Sequence, residues 1–270
     1  MTPPRLDSLR DAAIAMAADA GAVLTEYYGR LERDAISEKS RNDFVTRADQ
    51  EAEARITAAI RRDFPTHHIL AEESGVTDAE GDLQWVIDPL DGTTNFIRHI
   101  PVCGVSIAVR RGAEMLVGVV NNPLLGELFV ATRGGGATLN GEPIRVSAQH
   151  ELRNAFLATG FPHHSKRNLP QYVRAFADVF YYSAGARRLG AAALDLCYTA
   201  CGRFDGFWEA GLRPWDMAAG ALIVEEAGGR CSDFSGHGSH MDSGFMLAAN
   251  PAVHAQLAAR LSIYFGGTSS

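Results

Sequence analysis

Long hydrophobic runs are missing from this chain. Nothing in its 270 residues approaches the ~20 apolar positions a membrane-crossing helix needs. The opening segment MTPPRLDSLRDAA lacks the apolar core of a signal peptide. Both absences predict a cytoplasmic protein that meets no membrane. Basic tracts are missing too: 25 lysines and arginines face 32 aspartates and glutamates, a formal charge of −7. The basic residues occur as pairs (Arg61-Arg62, Arg110-Arg111, Arg187-Arg188), which argues against a broad nucleic-acid-binding face. Only four cysteines are present (Cys103, Cys197, Cys201, Cys231), without C-x-x-C spacing, and they are expected to be reduced core residues. No linker and no internal repeat interrupts the chain, so we read residues 1–270 as one domain, with an N-terminal α+β half to about 150 and a C-terminal α/β half beyond it.

What is present is an ordinary globular composition, 46% hydrophobic and 21% charged. Apolar residues at Leu6, Leu9, Ala13, Met16, Ala20, Val23 and Tyr27 step by three and four, which predicts a helix over Leu6 to Tyr27. The polar stretch Ile36 to Thr46 predicts a hairpin or loop. A second helix is expected from Arg47 to Phe64, with Thr46 and Asp49 at capping-box spacing. His67 to Ala71 reads as a strand delivering Glu72-Glu73-Ser74. Three β-rich runs from Cys103 to Ala131, then the Asn140-Gly141 turn, predict an antiparallel meander. The second half alternates strand and helix: Ala155 to Thr159, Leu169 to Phe180, Ala191 to Cys201, Phe204 to Trp208 ending at Glu209, a helix from Pro214, and a last helix from Pro251.

The chemistry concentrates in WVIDPLDGTTNFIRHIP, Trp85 to Pro101. Trp85-Val86-Ile87 predicts a buried strand that ends on Asp88, because Pro89 has no N–H for the next ladder hydrogen bond. Asp91 follows, Gly92 permits a tight bend, and Thr93-Thr94-Asn95 predict a helix start. Two carboxylates forced together at a strand end repel each other unless a cation sits between them. A hard divalent ion such as Mg²⁺ takes oxygen ligands and commonly binds substrate phosphate as well. The pattern points to a metal-assisted phosphate site.

The string is longer than a turn requires. DPLDGTTNF, Asp88 to Phe96, resembles the first signature of the inositol monophosphatase family, the lithium-sensitive Mg²⁺-dependent phosphatases, and WDMAAG, Trp215 to Gly220, resembles the second. AEESG at Ala71 resembles the family's Glu-Glu-Ser segment. The stretch from Gly185 to Gly220 is similar to the bacterial inositol monophosphatases. The resemblance covers nearly the whole chain and implies a fold of the α/β (α+β) class, a layered αβαβα sandwich of the inositol monophosphatase and fructose-1,6-bisphosphatase type, usually a homodimer. It implies two Mg²⁺ ions, with a third, weaker one near Glu72. Glu72, Asp88 and the Leu90 carbonyl would hold the first ion, and Asp88, Asp91 and Asp216 the second. Glu72 and Thr93 would orient the attacking water, with Asp49 behind Thr93. Backbone amides of Gly92 and Thr93 would hold the phosphate; Gly190, Ala192 and Glu209 would meet the polyol; and Glu72, Asp91 and Asp216 would also border the substrate. The loop from Lys39 to Asp43 is about one residue shorter than in some members, which leaves the role of Lys39 open.

The signatures read the phosphate rather than the alcohol. Inositol 1-phosphate is the leading substrate. The same site fits fructose 1,6-bisphosphate, histidinol phosphate, NADP or 3′-phosphoadenosine 5′-phosphate. A reading of another class is a regulatory partner of the transcription antitermination machinery, since some bacterial relatives also bind transcription factors.

Overall fold

The structure, a computed structural model, describes residues 6–31, 35–40, 43–162, 169–238 and 240–265. The side chains of Lys39 and Asp43, and all of His163 and His164, lie outside what is described. The first helix, α1, spans Leu6–Tyr27, as its periodicity predicts. Strands β1 (Ile36–Ser40) and β2 (Asp43–Thr46) pair as an antiparallel hairpin. Helix α2 (Arg47–Asp63) is started by the expected capping box: Thr46 Oγ1 accepts from the Ala48 N–H, and Asp49 Oδ2 accepts from the Thr46 N–H at 2.8 Å.

Strands β3 (His68–Ala71), β4 (Gly75–Thr77) and β5 (Leu83–Asp91) lead to a short helix α3 (Thr93–Ile97), followed by β6 (Gly104–Arg111), β7 (Glu114–Asn122), β8 (Glu127–Thr132), β9 (Gly136–Leu139) and β10 (Glu142–Pro143). They form one eight-stranded sheet in the order β10-β9-β8-β7-β6-β5-β3-β4, antiparallel except where β3 lies parallel to β5. The predicted meander is there. The later elements are β11 (Phe156–Thr159), α4 (Leu169–Tyr181), β12 (Gly185–Arg187), α5 (Ala192–Ala200), β13 (Gly206–Ala210), α6 (Pro214–Glu226), β14 (Arg230–Ser232), α7 (His240–Ser243), β15 (Phe245–Ala249) and α8 (Pro251–Phe265). Their five-stranded sheet has the order β12-β11-β13-β15-β14, with β11 parallel to both neighbours. Strands β4 and β12 and helix α7 are too short to have announced themselves by periodicity.

Five layers result. Helices α1 and α2 cover the outer face of the large sheet through Leu9, Ala13, Ile56 and Ile60 against Trp85, Ile87 and Ile107. Helices α5 and α6 fill the space between the sheets, where Leu194, Met217 and Leu222 meet Val86, Phe129 and Phe207. Helices α4 and α8 close the far face over Trp208 and Leu247. This is the αβαβα sandwich. Among the described residues no helix is long and apolar enough to cross a membrane. Cys103 and Cys197 are buried, while Cys201 and Cys231 are only half-buried; all four are free thiols.

One expectation is corrected here. β5 does not end at Asp88 but continues through Pro89 to Asp91. Asp88 pairs with Ser106 and Asp91 with Gly104, so two residues of β5 stand opposite one of β6. That bulge absorbs the missing N–H of Pro89. It also sets the side-chain directions. Strand alternation places Asp88 on the inner face with Val86, and the bulge reverses the alternation so that Leu90 lies in the outer core. The extra residue then returns Asp91 to the inner side, where its Oδ2 accepts the Ala193 N–H at the start of α5. Without the bulge the two aspartates would face opposite layers.

Helix α6 meets the large sheet at close backbone range. A Cβ on Gly118 of β7 would lie 2.7 Å from the Ala219 carbonyl oxygen and 3.1 Å from its Cα. Backbone cannot swing aside as a side-chain tip can. Gly118→Ala is therefore expected to destabilise the fold by about 1–3 kcal/mol, seen as a lower urea midpoint with unchanged slope. An unchanged midpoint would mean that α6 is free to slide.

Candidate active site

The site forms where α3, α5 and α6 begin, against the end of β5. Gly92, at φ 89°, turns the chain sharply out of β5 into α3, a conformation that favours glycine. Asn95 in α3 ties this turn to the second half of the chain, since its Nδ2 donates to the Val102 carbonyl at 2.8 Å and to the Leu189 carbonyl at 2.9 Å. Asp216 lies in the first turn of α6, and its Oδ2 accepts the Arg213 N–H at 2.7 Å. Glu72 follows β3 directly, with its N–H donating to the Ile87 carbonyl beside Asp88.

Each aspartate is anchored through one oxygen by a backbone N–H. Leu90 N donates to Asp88 Oδ1 at 3.0 Å, Ala193 N to Asp91 Oδ2 at 2.7 Å, and Arg213 N to Asp216 Oδ2 at 2.7 Å. The carboxylates are thus oriented by backbone while a second oxygen remains on each for another partner. Thr93 Oγ1 lies 3.1 Å from both Asp49 Oδ1 and the Leu90 carbonyl oxygen. Asp49 is fully buried and accepts the Thr46 N–H and hydroxyl through its other oxygen. The capping residue of α2 thereby also fixes Thr93.

The electrostatics are strongly biased. Burial, then Glu72, Asp91 and Asp216, pushes Asp88 well above the usual carboxylate range, and a side-chain hydrogen bond with Glu72 adds to this. Burial pushes Asp91 up to about 7 against the opposing N–H bond of Ala193, and pushes Asp216 well above its ordinary value. Burial likewise raises Asp49 to about 6 and Glu209 to about 8, the latter opposed by Arg188. Negative charge is crowded here in a low dielectric, which favours the neutral form of the three aspartates. Among the described residues no three His, Cys, Asp or Glu side chains stand posed as a finished metal cage. The donor set nevertheless fits a hard divalent ion: four carboxyl groups and a carbonyl, all oxygen, whose repulsion a cation would relieve.

A cleft of about 630 Å³ opens above them. Asp91, Gly92, Thr93, Gly190, Ala192, Glu209 and Asp216 line it, which brings the expected phosphate and polyol residues and two of the three second-ion residues to one surface. Asp49, Asp88 and Leu90 are not in its lining and lie buried at 0%, 2% and 1% exposure; Glu72, half-buried, is also outside it. Another hollow of about 620 Å³, between the Glu151–Arg153 turn and α8, has no comparable acidic set.

Several residues of the site carried no signal in the sequence. Phe44 from the β1–β2 hairpin, Arg98, Phe161 and Arg188 share the cleft wall. Glu53 of α2 accepts the Glu73 and Ser74 N–H groups at 2.9 and 2.8 Å and so shapes the turn that presents Glu72. Asp195, 1% exposed, has neither oxygen in a hydrogen bond. Burial, then Glu209 and Asp91, holds it well above the carboxylate range. Cys103, beside Asp91 and Asp49, has its thiol pushed by burial up to about 12, which keeps it from being a nucleophile.

The model of the inositol monophosphatase family matches residues 5–264. The Nus factor SuhB of Escherichia coli (strain K12) is 49% identical over 242 residues, 89% of this chain and 91% of that protein. Among solved structures, the extragenic suppressor protein SuhB from Bartonella henselae superposes with a TM-score of 0.91 at 38% identity, covering 94% of this chain and 98% of that one. The inositol monophosphatase from Anabaena (Nostoc) sp. PCC 7120 gives a TM-score of 0.85 at 39% identity, covering 96% and 97%.

Proposed function

The chain belongs to the inositol monophosphatase family, and from that premise we propose that it is a Mg²⁺-dependent phosphatase that hydrolyses inositol 1-phosphate to inositol and phosphate. The observation that carries the reading is the crowding of Asp88, Asp91 and Asp216 with Glu72, where burial and the neighbouring carboxylates hold all three aspartates above the usual carboxylate range, beside a cleft lined by Asp91, Asp216, Gly92, Thr93 and Glu209. Glu72, Asp88 and the Leu90 carbonyl would hold one ion, and Asp88, Asp91 and Asp216 a second. Bound there, Mg²⁺ supplies neutralisation of the phosphoryl oxygens and a more acidic water.

The chain's own groups do the rest. When the Thr93 hydroxyl donates to Asp49 Oδ1 or to the Leu90 carbonyl, its lone pairs are left to accept a hydrogen from the attacking water. Asp49 fixes that orientation, and Glu72 is the carboxylate beside the site that takes part of the water's hydrogen bonding. Backbone N–H groups of Gly92 and Thr93 border the phosphate. In the same cleft Glu209 accepts hydrogen bonds from the hydroxyl groups of the alcohol, with Gly190 and Ala192 leaving room for the ring. A homodimer in the cytoplasm is part of the same reading.

The test is phosphate release from inositol 1-phosphate, fructose 1,6-bisphosphate, histidinol phosphate, NADP and 3′-phosphoadenosine 5′-phosphate, with Mg²⁺, with EDTA and with added Li⁺. Preference for the inositol ester, lost in EDTA, is expected; preference for another ester would move the substrate and keep the site. A second reading draws on the 49% identical Nus factor: the chain is a regulatory partner of transcription factors. Capture of transcription factors by a variant without activity, together with no release from any ester by the parent chain, would favour it.

A further inference from the structure

Glu209 can read hydroxyl groups only while its carboxylate is held in the cleft, and the residue that makes room for it lies on the neighbouring strand. β11 and β13 run parallel, with Ala158 opposite Phe207 and Thr159 opposite Trp208. Gly160 therefore emerges beside Glu209 at the carboxyl ends of the two strands, the edge at which open α/β sheets take ligands. A Cβ on Gly160 would stand 1.9 Å from Glu209 Cδ and Oε1 and 2.1 Å from Oε2. The carboxylate thus lies directly against the Gly160 backbone. Gly160 is not among the glycines with positive φ, so its conformation suits any residue, and space alone calls for glycine. The obstacle differs from that at Gly118. There it is backbone; at Gly160 it is the end of a flexible side chain, which yields. Just below, the Thr159 hydroxyl lies 2.8 Å from the Trp208 carbonyl oxygen and from the Tyr172 hydroxyl, which ties the two strands together.

We propose that Gly160 is a positioning residue that sets the selectivity of the cleft. By admitting the Glu209 carboxylate, it makes the site prefer phosphate esters of polyhydroxylated alcohols over esters whose alcohol carries no further hydroxyl. The inference rests on the phosphatase reading above. Any side chain at this position pushes the carboxylate off its seat while the phosphate-handling residues of α3 and α6 stay in place.

The experiment compares the wild-type chain with Gly160→Ala on inositol 1-phosphate and on p-nitrophenyl phosphate, both with Mg²⁺. Leaving a substrate hydroxyl without its hydrogen-bond partner costs discrimination of about tenfold or more. The expected result is a loss of that size in kcat/KM for the inositol ester, chiefly through KM, with p-nitrophenyl phosphate changed by less than about twofold. In a Glu209→Gln background Gly160→Ala should add nothing, because both changes remove one contact. Equal losses on both esters, no loss on either, or full additivity with Glu209→Gln would overturn the proposal. Failure of Gly160→Ala to fold would also overturn it, since the carboxylate would then not have yielded. A wild-type chain that cleaves p-nitrophenyl phosphate without preferring the inositol ester overturns the selectivity alone. One that cleaves neither removes the phosphatase reading as well.

Discussion

Replacing Asp88 with asparagine is expected to lower Mg²⁺-dependent phosphate release by about 10³-fold or more, while the chain stays folded. Loss of a single preorganised electrostatic contact commonly costs about 10²–10³ in kcat, and Asp88 is assigned to both ions. Asparagine keeps the shape and keeps an Oδ1 to accept the Leu90 N–H, now at 3.0 Å. The substitution removes one of four mutually repelling carboxyls at a site 2% exposed, so the metal-free variant should melt no lower than the parent. Two measurements together decide it: phosphate release against Mg²⁺ concentration, and thermal melts with and without Mg²⁺. The variant should lose both turnover and the Mg²⁺-induced rise in Tm. Normal turnover would sink the assignment of Asp88.

The metal-free protein is expected to lose stability as pH rises from 5 to 8, and Mg²⁺ to restore more of it at pH 8 than at pH 5. Burial pushes Asp91 up to about 7 and Glu209 up to about 8, and also raises Asp88 and Asp216. In the unfolded chain such groups titrate near 4. Over the interval between, the folded state holds more protons than the unfolded one, so unfolding free energy falls with pH. The favourable contribution is complete below pH 4 and gone above the folded values. For a group raised by about three units, the loss is on the order of a few kcal/mol. A bound divalent ion takes the place of the protons, which is why its effect on Tm should grow with pH. Melting curves in EDTA and in Mg²⁺ at pH 5, 6, 7 and 8 test this. A flat metal-free profile would contradict the crowded-carboxylate account.

Some of the site was legible because its parts are covalent neighbours. Thr46 and Asp49 announced a capping box by spacing, and that box is what holds Thr93 through Asp49 Oδ1. Asp88, Asp91 and Gly92 lie within one turn of chain, and the sharp bend at Gly92 follows from its residue type. The continuation of β5 past Pro89 was not legible. It depends on how β6 pairs across the bulge, which no pattern within β5 records. Glu53 gave no sign either, because the amides it accepts belong to Glu73 and Ser74, brought beside α2 only by the packing of β3 and its following turn. Gly160, just past the Ala155 to Thr159 strand, carried no signal of its own. Its closeness to Glu209 exists only because β11 and β13 are parallel and in register.

The amino-acid sequence by itself determined the longer helices, the meander strands, and which residues bring hard oxygen donors to the chain, because periodicity, capping and turn chemistry act over a few residues. Only the tertiary structure decided that Asp88 and Asp91 face the same layer, that Asp216 joins them from α6, and that Glu209 looks into the same cleft. Coulomb repulsion and desolvation depend on distance and dielectric, and both are set by how sheets and helices stack, not by the order of residues along the chain.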